Sequence, residues 1–533
     1  MMNPSAIREA ARREGGLSRR LFLAHSAALA ALPLLGERVE GRTLRHASFS
    51  AEPFQLGVTS GDPTSDGAVI WTRLAPKPFE PQGGMPLEKI AVSWEVADDE
   101  AMTKVVSRGE AIATPQLGHS VHVEVSGLAP DRWYWYHFRA GDATSPLGRL
   151  RTMPADTTTP DQLKFALASC QHFEAGYYTA YEHMAKDELD LVFHLGDYIY
   201  ENQGRDGQIR KHLGTEIMSL DDYRIRHSQY RSDPHLQKMH TLCPWVVTWD
   251  DHEVDNNYAG SISEHKDVDV VSFLERRANG YQAYYEMMPL RKKSLPRGAD
   301  MQLYRTIRFG NLAEFQVLDT RQHRSDQPNG DKRSPLNEAA LDPKSTMLGE
   351  HQYGWLRSRL LSSTSTWNVL AQQVMMGMVG HRPATEGTSE PAYSMDQWPG
   401  YTHERIQLMK FLAERHVPNP VVLTGDIHSN WINDLRVDDR KQDTPVVATE
   451  FVGTSISSGG DGRALLPTQE KMMSDNPHVR FFNAQRGYVR CTVTPKAWKS
   501  DYQVVEVVTK PGAPAVTKTS MVVEAGTPGA KPA

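Results

Sequence analysis

Apolar and polar residues alternate along the segment 53–153, and this period of two predicts β-strands. The runs 89–96 and 119–125 alternate regularly, and 133–138 is dense in aromatic residues. Turns that contain glycine, proline and aspartate separate these runs, as expected between the short strands of an all-β domain. We therefore predict a small N-terminal β-sandwich of about 100 residues at 53–153.

The pattern changes after the polar linker 153–160, where apolar runs begin to alternate with helical segments. This alternation predicts a layered α/β domain, which we place at 162–508. The final segment, 509–533, is rich in proline, alanine, glycine, threonine and lysine, a composition that favours disorder. The predicted strands are 163–169, 190–196, 245–250, 314–320, 366–374, 420–425 and 446–453, and the predicted helices are 175–187, 219–231, 271–287, 350–362 and 401–415.

The first 42 residues have the layout of an export signal. Arg19 and Arg20 precede an apolar run over 21–35, which is shorter than the ~20 residues that cross a membrane as a helix. The adjacent arginines predict a twin-arginine signal peptide at 1–42, with an amphipathic helix as the alternative. The expected partner is the twin-arginine export machinery, and the expected location is periplasmic or secreted.

Composition and cysteine usage narrow the class of protein. The chain is 39% hydrophobic and 23% charged, as in ordinary soluble proteins. Its net charge of −6 predicts no nucleic-acid-binding surface. Cys170, Cys243 and Cys491 are odd in number and far apart, so they form no disulfide framework, although one disulfide stays open. Cys243 and Cys491 are typical of core thiols, whereas Cys170 suits a buried filler, half of a disulfide or a metal ligand.

Metal-ligating residues follow the predicted strands, and ligands bind at the strand ends of open α/β sheets. Cys170 follows one apolar strand, and Gly196 and Asp197 follow the next. If a helical turn begins at Asp197, then Tyr200 faces the same way. An oxygen pair at that spacing holds a hard cation, although a Gly-Asp pair by itself is also common in turns.

Two later strand ends carry carboxylates beside an imidazole. Asp250, Asp251 and His252 come directly after an apolar run, and Asp426 and His428 repeat the arrangement behind a glycine. Adjacent carboxylates repel and raise one another's pKa, so the cluster indicates bound cations, with a solvated loop as the alternative. Four strand ends that supply oxygen ligands, imidazole and thiol are typical of a multi-metal hydrolytic site.

Six stretches form a recognisable set: GVTSGDPTSDGAVIWTRL (57–74), ASCQ (168–171), HLGDYIYE (194–201), WDDHEVDNN (249–257), LDTRQHRSDQP (318–328) and LTGDIHSNW (423–431). Their order resembles the calcineurin-like metallophosphoesterases, and the Asp197–Tyr200 spacing resembles the purple acid phosphatases. The details are most similar to the PhoD-like alkaline phosphatases. The resemblance implies a metallophosphoesterase four-layer α/β sandwich preceded by a small all-β domain of fibronectin or immunoglobulin type. Around Tyr134, residues 128–134 are similar to a tyrosine corner.

The sequence departs from the general superfamily pattern where that pattern binds metal. Cys170 stands where most members have aspartate, Asp251 where they have asparagine, and Asp426 where they have histidine. Exchange of imidazole for oxygen favours harder ions such as calcium over zinc. A thiolate and a phenolate together suit trivalent iron. The resemblance accordingly implies Fe³⁺ and Ca²⁺ as cofactors.

Carried over by position, the resemblance implies an iron site and a calcium site that share one ligand. The iron ligands would be Cys170, Asp197, Tyr200 and His428. Asp197 would bridge to the calcium side, whose ligands would be Asp251 and Asp426, with Asp250 and Asn257 as further candidates.

His252 matches the superfamily histidine that stabilises or protonates the leaving group, a role that suits a pKa near the working pH. A solvated loop histidine is the alternative. Arg321 and Arg324 are candidates for clamping phosphate. His172 and Arg486 are candidates for lining the pocket.

We predict an exported, metal-dependent alkaline phosphatase that hydrolyses phosphoric monoesters and diesters. A metal-activated water or oxide would attack phosphorus in line, with Asp197 bridging the metals and His252 aiding departure of the alcohol. The expected substrates are phosphate-ester small molecules or phospholipid headgroups. The alternatives are a phospholipase D-like phosphodiesterase and a non-catalytic secreted binding protein, and the intact set of ligands argues against the second.

Overall fold

The computed structural model describes residues 43–44, 47–381, 390–463 and 467–533. The signal peptide predicted at 1–42 lies outside these residues and stays a prediction. Within the described part of the chain, every helix is too short or too polar to cross a membrane. The named strands of these residues form one six-stranded sheet and two larger sheets.

The N-terminal strands divide between two sheets that share one core. The six-stranded sheet contains β1 (Thr43–Leu44), β4 (Lys89–Ala97), β5 (Val105–Ala113), β7 (Trp133–Ala140), β8 (Ala143–Thr144) and β9 (Gly148–Arg151), and the strands that pack against it are β2 (Val58–Thr64), β3 (Gly67–Arg73) and β6 (Ser120–Val125). The strands predicted at 89–96, 119–125 and 133–138 are confirmed. The boundaries at 53 and 153 stay predictions.

The Tyr134 hydroxyl accepts a hydrogen bond from the Ala129 amide at 3.0 Å, which is the contact that a tyrosine corner makes. The N-terminal strands are not closed off from the rest of the chain. Strand β2 pairs with a strand of the α/β region through Gly61 and Trp245, so β2, β3 and β6 continue one of the large sheets.

This first large sheet has ten strands in the order β24-β23-β22-β21-β10-β11-β12-β2-β3-β6. Its centre is parallel and buried on both faces, which explains why those strands have continuous apolar sequences. Besides β2, β3 and β6, this sheet contains β10 (Leu163–Ala168), β11 (Leu191–Leu195), β12 (Trp245–Thr248), β21 (Gly487–Val493), β22 (Ala497–Val505), β23 (Ala515–Glu524) and β24 (Thr527–Pro532).

The second large sheet has eight strands in the order β13-β14-β15-β16-β18-β17-β20-β19. Strands β14, β15, β16 and β18 are parallel, and all four are fully buried. The bounds are β13 (Arg305–Phe309), β14 (Ala313–Val317), β15 (Trp367–Ala371), β16 (Pro420–Thr424), β17 (Asn430–Leu435), β18 (Ala448–Val452), β19 (Gly462–Arg463) and β20 (Val479–Gln485).

The two large sheets pack face to face around a core in which Phe165 contacts Phe193 and Phe315 at ring distances of 5.3 and 5.5 Å. Helices α1, α3 and α4 pack on the ten-stranded sheet, and α5 and α6 pack on the eight-stranded sheet. The helix bounds are α1 (Thr179–Met184), α2 (Leu220–Arg231), α3 (Pro234–Leu242), α4 (Val270–Met287), α5 (Gly349–Ser362), α6 (Thr402–Glu414) and α7 (Pro467–Asp475).

Local sequence sets where these helices begin. Ser219 and Asp222 form a capping box at the start of α2, and Asp269 caps α4 by accepting from two backbone amides. The helices predicted at 219–231, 271–287, 350–362 and 401–415 are confirmed within one residue at each end. The helix predicted at 175–187 is shorter, because the Tyr177 amide is held by the Val508 carbonyl and regular helix begins only at Thr179.

The prediction of a disordered tail at 509–533 is wrong. The segment forms β23 and β24, and β23 pairs with β22 over most of its length. Met521 and Val523 are buried and pack into the core between the sheets. Composition indicated disorder, but the alternation of buried and exposed positions in β23 supplies enough apolar burial to order the segment.

Candidate metal centre

The carboxyl ends of β10, β11, β12 and β16 meet at one edge of the paired sheets, where their loops touch. The Cys170 amide donates to the Gly196 carbonyl at 3.1 Å. A side chain at Gly196 would place its Cβ 2.4 Å from the Cβ of Asp250, and one at Gly425 would come within 2.9 Å of Ser169. Both Gly-Asp motifs therefore need glycine, because the strand ends approach too closely for a larger residue.

Several of the predicted ligands occupy left-handed backbone conformations. The φ angles of Cys170, Asp197, Asp426 and His428 lie between 54° and 66°, and that of Asn257 is 50°. Non-glycine residues seldom adopt this region, and such strain concentrates at functional sites. The loops are thus held in the conformations that turn these side chains toward one another.

The first group of ligands consists of Cys170, Asp197 and His428, whose thiol, carboxylate and imidazole atoms all lie within 4.8 Å of one another. The Tyr200 hydroxyl donates to Asp197 Oδ2 at 2.7 Å and lies 3.2 Å from His428 Nε2. The four iron ligands that the sequence predicted are therefore brought together. The side chain of His428 keeps 35% of its surface exposed, so the group opens to solvent on that side.

The second group consists of Asp250, Asp251 and Asp426, again with ligand atoms within 4.8 Å. A third set joins Asp251 and His252 to Asp197, so the Asp197 carboxylate lies between the two groups. The backbone N–H of Asn257 donates to Asp251 Oδ2 at 2.7 Å, which places this candidate beside the second group, while its side-chain amide donates to Asp331 at 2.5 Å.

The charges of the cluster fit bound cations. Burial, reinforced by Asp197, raises the pKa of the Cys170 thiol well above its usual value, and burial raises the pKa of Asp426 to about 7 even though Arg321 opposes the change. Asp197 Oδ1 and Asp250 Oδ2 are buried without a hydrogen-bond partner among the described residues. Positive charge placed between these groups would ionise them and satisfy the orphaned oxygens.

Arg321 supplies only part of that charge. Its guanidinium pairs with Asp250, with Asp251 at 3.2 Å and with Asp426 at 3.3 Å. It also pairs with Asp396 at 3.0 Å, so one cation faces four carboxylates. The donor set is thus rich in oxygen and holds more negative charge than Arg321 balances, which suits hard cations.

His252 lies at the edge of the cluster with one ring nitrogen fixed. Its Nδ1 is 2.7 Å from Glu201 Oε2, and its ring centroid lies 4.1 Å from that of Tyr200, with the two rings tilted by 31°. Burial lowers the pKa of His252, but Glu201, Asp251 and Asp197 outweigh it and hold the pKa well above the usual value. These carboxylates therefore favour the protonated imidazole beside the candidate ligands.

Three residues of the site were missed at the sequence level. Glu201 holds His252. The buried Glu253 carboxylate accepts from the amides of Asp197, Tyr198 and Asp250 at 2.6–3.1 Å, which ties the β11 and β12 loops together. Ser458 lies 2.7 Å from the Tyr200 hydroxyl and donates to the Cys170 carbonyl. Of these three, only the two glutamates could have been found from sequence, because Glu201 ends the motif HLGDYIYE and Glu253 lies in WDDHEVDNN.

The proposed phosphate clamp is wrong for Arg321 and Arg324. Both guanidinium groups are fully buried and ion-paired with Asp396, and Arg324 also donates to the Tyr258 carbonyl. They have no free face for a substrate. Their role is to hold acidic side chains and loop carbonyls in place.

The remaining candidates lie close to the first group. The His172 ring meets the edge of Tyr200 at 4.4 Å. Arg486 donates to the His428 carbonyl at 2.6 Å and so supports that loop from behind. Cys170, Cys243 and Cys491 are all free thiols, so the disulfide alternative is wrong, and Cys243 and Cys491 are buried as predicted.

Comparison with known proteins gives two family-model matches and two near relatives. The model described as "PhoD-like phosphatase" matches residues 165–502, and "PhoD-like phosphatase, N-terminal domain" matches 40–154. "Alkaline phosphatase D" of Bacillus subtilis (strain 168) is 52% identical over 481 residues, which cover 89% of this chain and 81% of the relative. The solved "Structure of PhoD" is 50% identical, covers 91% of this chain and 93% of its own, and has a TM-score of 0.88.

Proposed function

Because the chain belongs to the PhoD-like phosphatase family, we propose that it is a hydrolase that cleaves phosphoric esters at the strand-end cluster. The observation that carries this proposal is the position of Asp197, whose carboxylate is shared by two groups of candidate ligands. A carboxylate between two ligand groups would allow two metal ions to be held side by side, the arrangement of a two-metal hydrolytic site.

The cluster would hold two kinds of cation. Cys170, Asp197, Tyr200 and His428 form the set that suits Fe³⁺. Asp251 and Asp426, with Asp250 and Asn257 beside them, form the oxygen-rich set that suits Ca²⁺. When bound, these ions would supply positive charge to the phosphate oxygens and lower the pKa of a water.

The protein's own residues would orient the ester and deliver a proton. The raised pKa of His252 favours the protonated imidazole, and Glu201 occupies its Nδ1, so Nε2 would be the atom free to donate to the departing alkoxide. Glu253 acts as a positioning residue, because it fixes the backbone on either side of Asp197 and Asp250. Ser458 similarly fixes the Tyr200 hydroxyl.

We extend the substrate range to diesters as well as monoesters, since a cluster open on the His428 side leaves room for a second ester group. The fold is proposed to be a four-layer α/β sandwich with an immunoglobulin-like N-terminal domain. The packing of helices on the outer faces of two stacked sheets supports the first part, and the Tyr134 corner supports the second.

Export by the twin-arginine pathway to the periplasm or beyond is also proposed. The support is the Arg19-Arg20 pair ahead of the apolar run 21–35. Fusion of residues 1–42 to a folded reporter would test this, with Arg19→Lys/Arg20→Lys as the comparison. Equal export of both fusions would defeat the proposal.

The catalytic proposal is tested by hydrolysis assays on the metal-loaded protein. We expect turnover of p-nitrophenyl phosphate and of bis-p-nitrophenyl phosphate, lost on chelation and restored by iron with calcium. Asp197→Asn should lose activity by at least about a thousandfold, whereas the exposed Asp443→Asn should behave as wild type. An active Asp197→Asn protein would defeat the assignment of the shared ligand.

A further inference from the structure

A groove of about 550 Å³ lies apart from the strand-end cluster, and none of the residues that line it is a candidate metal ligand. Its walls come from the 62–65 end of β2, the segment 291–308 and one side of α5. Five cations and two carboxylates line the groove, so cations are in excess; the cations are Arg291, Lys293, Arg305, Arg308 and Arg359, and the carboxylates are Asp62 and Asp156.

Most of these cations already have carboxylate partners. Arg305 is buried against Asp62 at 2.7 Å, and Arg291 pairs with Glu124 at 3.0 Å. Arg308 and Arg359 share the buried carboxylate of Glu314. These pairs fix the walls of the groove without filling it.

Two donors in the groove have no protein acceptor, one on the exposed Lys293 and one on Arg359, whose other nitrogens pair with Glu314. No hydrogen bond or ion pair within the described residues involves Lys293, and the Nε of Arg359 is buried without a hydrogen-bond partner. Burial lowers the pKa of Lys293; Asp62 and Glu124 raise it, while Arg305 and Arg291 lower it. The carboxylates beside Lys293 are themselves paired with arginines, Asp62 with Arg305 and Glu124 with Arg291, so an added anion would still be attracted to the ammonium group.

One end of the groove is aromatic. The rings of Tyr304 and Trp355 lie 4.9 Å apart at an interplanar angle of 53°, and both side chains are half-buried. Such a pair offers an edge and a face to a flat or apolar ring. The groove therefore joins an excess of cationic groups to an aromatic wall.

We propose that this groove is a non-catalytic binding site for a phosphate ester that carries a ring, with the phosphate against Lys293 and Arg359 and the ring against Tyr304 and Trp355. Guanidinium and ammonium donors together suit a tetrahedral dianion. The ligand is held and not hydrolysed, because the groove contains no group of candidate metal ligands among the described residues. The site stands independently of the chemistry proposed for the strand-end cluster.

The test is isothermal titration of the metal-loaded protein with phenylphosphonate, which combines the ring and the anion and is not hydrolysed. We expect two binding sites per chain. One should match the inhibition constant for p-nitrophenyl phosphate hydrolysis and belongs to the metal centre. The other site is the groove, where Lys293→Glu should weaken the binding of phenylphosphonate by at least about tenfold. The kcat for p-nitrophenyl phosphate should stay unchanged in this variant.

The matched control is Lys518→Glu, the same charge reversal at an exposed lysine of β23 outside the groove. It should keep both sites. A single site in the wild-type protein, or equal second-site affinity in the two charge-reversal variants, would overturn the proposal. Neither outcome bears on hydrolysis, so failure here is distinguishable from failure of the proposed function.

A second variant tests the ring. Trp355→Ala should weaken phenylphosphonate at this site by about fivefold or more and leave inorganic phosphate unaffected, while Trp355→Phe should restore much of the loss. Equal loss for both ligands in Trp355→Ala would contradict an aromatic contact. Benzoate, which has the ring but a planar monoanion, should bind more weakly than phenylphosphonate, and tighter binding of benzoate would argue against a phosphate site.

Discussion

The Nδ1 atom of His252 lies 2.7 Å from the Oε2 atom of Glu201, and this contact determines which ring nitrogen faces the candidate metal ligands. The other nitrogen, Nε2, lies 3.9 Å from Asp251 Oδ2. Because Glu201 occupies one side of the ring, the imidazole can act only from the side nearest the cluster. The pair therefore links leaving-group chemistry to a carboxylate that is not itself a candidate ligand.

Glu201→Gln should impair hydrolysis more strongly for substrates whose leaving alcohol has a higher pKa. With an alkyl phosphate we expect kcat/KM to fall by about 10- to 100-fold, since His252 loses the carboxylate that orients and charges it. With p-nitrophenyl phosphate, whose phenolate leaves readily, the loss should be less than about threefold. The exposed Glu338→Gln is the control. Equal losses on both substrates would reduce Glu201 to a structural role.

Cys170→Ser tests the choice of metal. A thiolate bound to Fe³⁺ absorbs visible light, so the metal-loaded wild-type protein should be coloured and the variant should lose or shift that band. Iron content, measured by elemental analysis, should fall with the band while calcium content changes less. Cys243→Ser alters a buried thiol outside the cluster and should keep both. A colourless wild-type protein that contains no iron after native export would contradict the iron assignment.

Glu253 predicts how the metal-free protein responds to pH. Burial, reinforced by the charge of Asp197, raises its pKa from 4.5 to about 8, against three backbone amides that lower it. The folded state then binds this proton more tightly than the unfolded state. Its contribution to stability is present below pH 4.5 and is lost as pH rises toward 8, by roughly 1.4 kcal/mol per pH unit.

Urea unfolding of chelated protein between pH 5 and 8 checks this slope. We expect the free energy of unfolding to fall by about 2–4 kcal/mol more in wild type than in Glu253→Gln. A cation held by Asp197 would offset the charge that raises the pKa of Glu253, so the loaded protein should show a shallower slope. Glu338→Gln should keep the wild-type slope. If Glu253→Gln also kept it, the carboxyl would be ionised across the whole range.

The clustering of the candidate ligands was predictable because each follows an apolar strand. Asp197 and Asp426 come directly after glycines at the ends of apolar runs, and parallel strands bring such ends to one edge. The partners that hold the ligands were not predictable in the same way. Glu201 and His252 are 51 residues apart, and Ser458 and Tyr200 are 258 apart, so only the folded loops bring them together.

The phosphate clamp assigned to Arg321 failed for a related reason. Sequence alone suggests that an arginine after a strand end is free to contact substrate. In the folded protein its guanidinium is enclosed by Asp250, Asp251, Asp396 and Asp426, and Asp396 lies in a segment with no motif of its own. Partners that come from distant loops decide whether such a cation faces substrate or protein.

The stability of the C-terminal hairpin gives a final prediction. Its composition favours disorder, whereas its pattern of buried apolar residues favours an ordered strand. Met521 and Val523 lie on the buried face of β23, whereas Val516 on the same strand is 58% exposed. Met521→Ala should lower the free energy of unfolding by about 2–4 kcal/mol and Val523→Ala by about 1–2 kcal/mol, through lost burial and the cavities left behind. Val516→Ala removes two methyl groups from the same strand, but these groups are exposed to solvent. This variant should therefore change the free energy of unfolding by less than about 0.5 kcal/mol. Chemical denaturation of the three variants decides the matter. Equal, small effects at all three positions would mean that the hairpin does not dock on the inter-sheet core in solution.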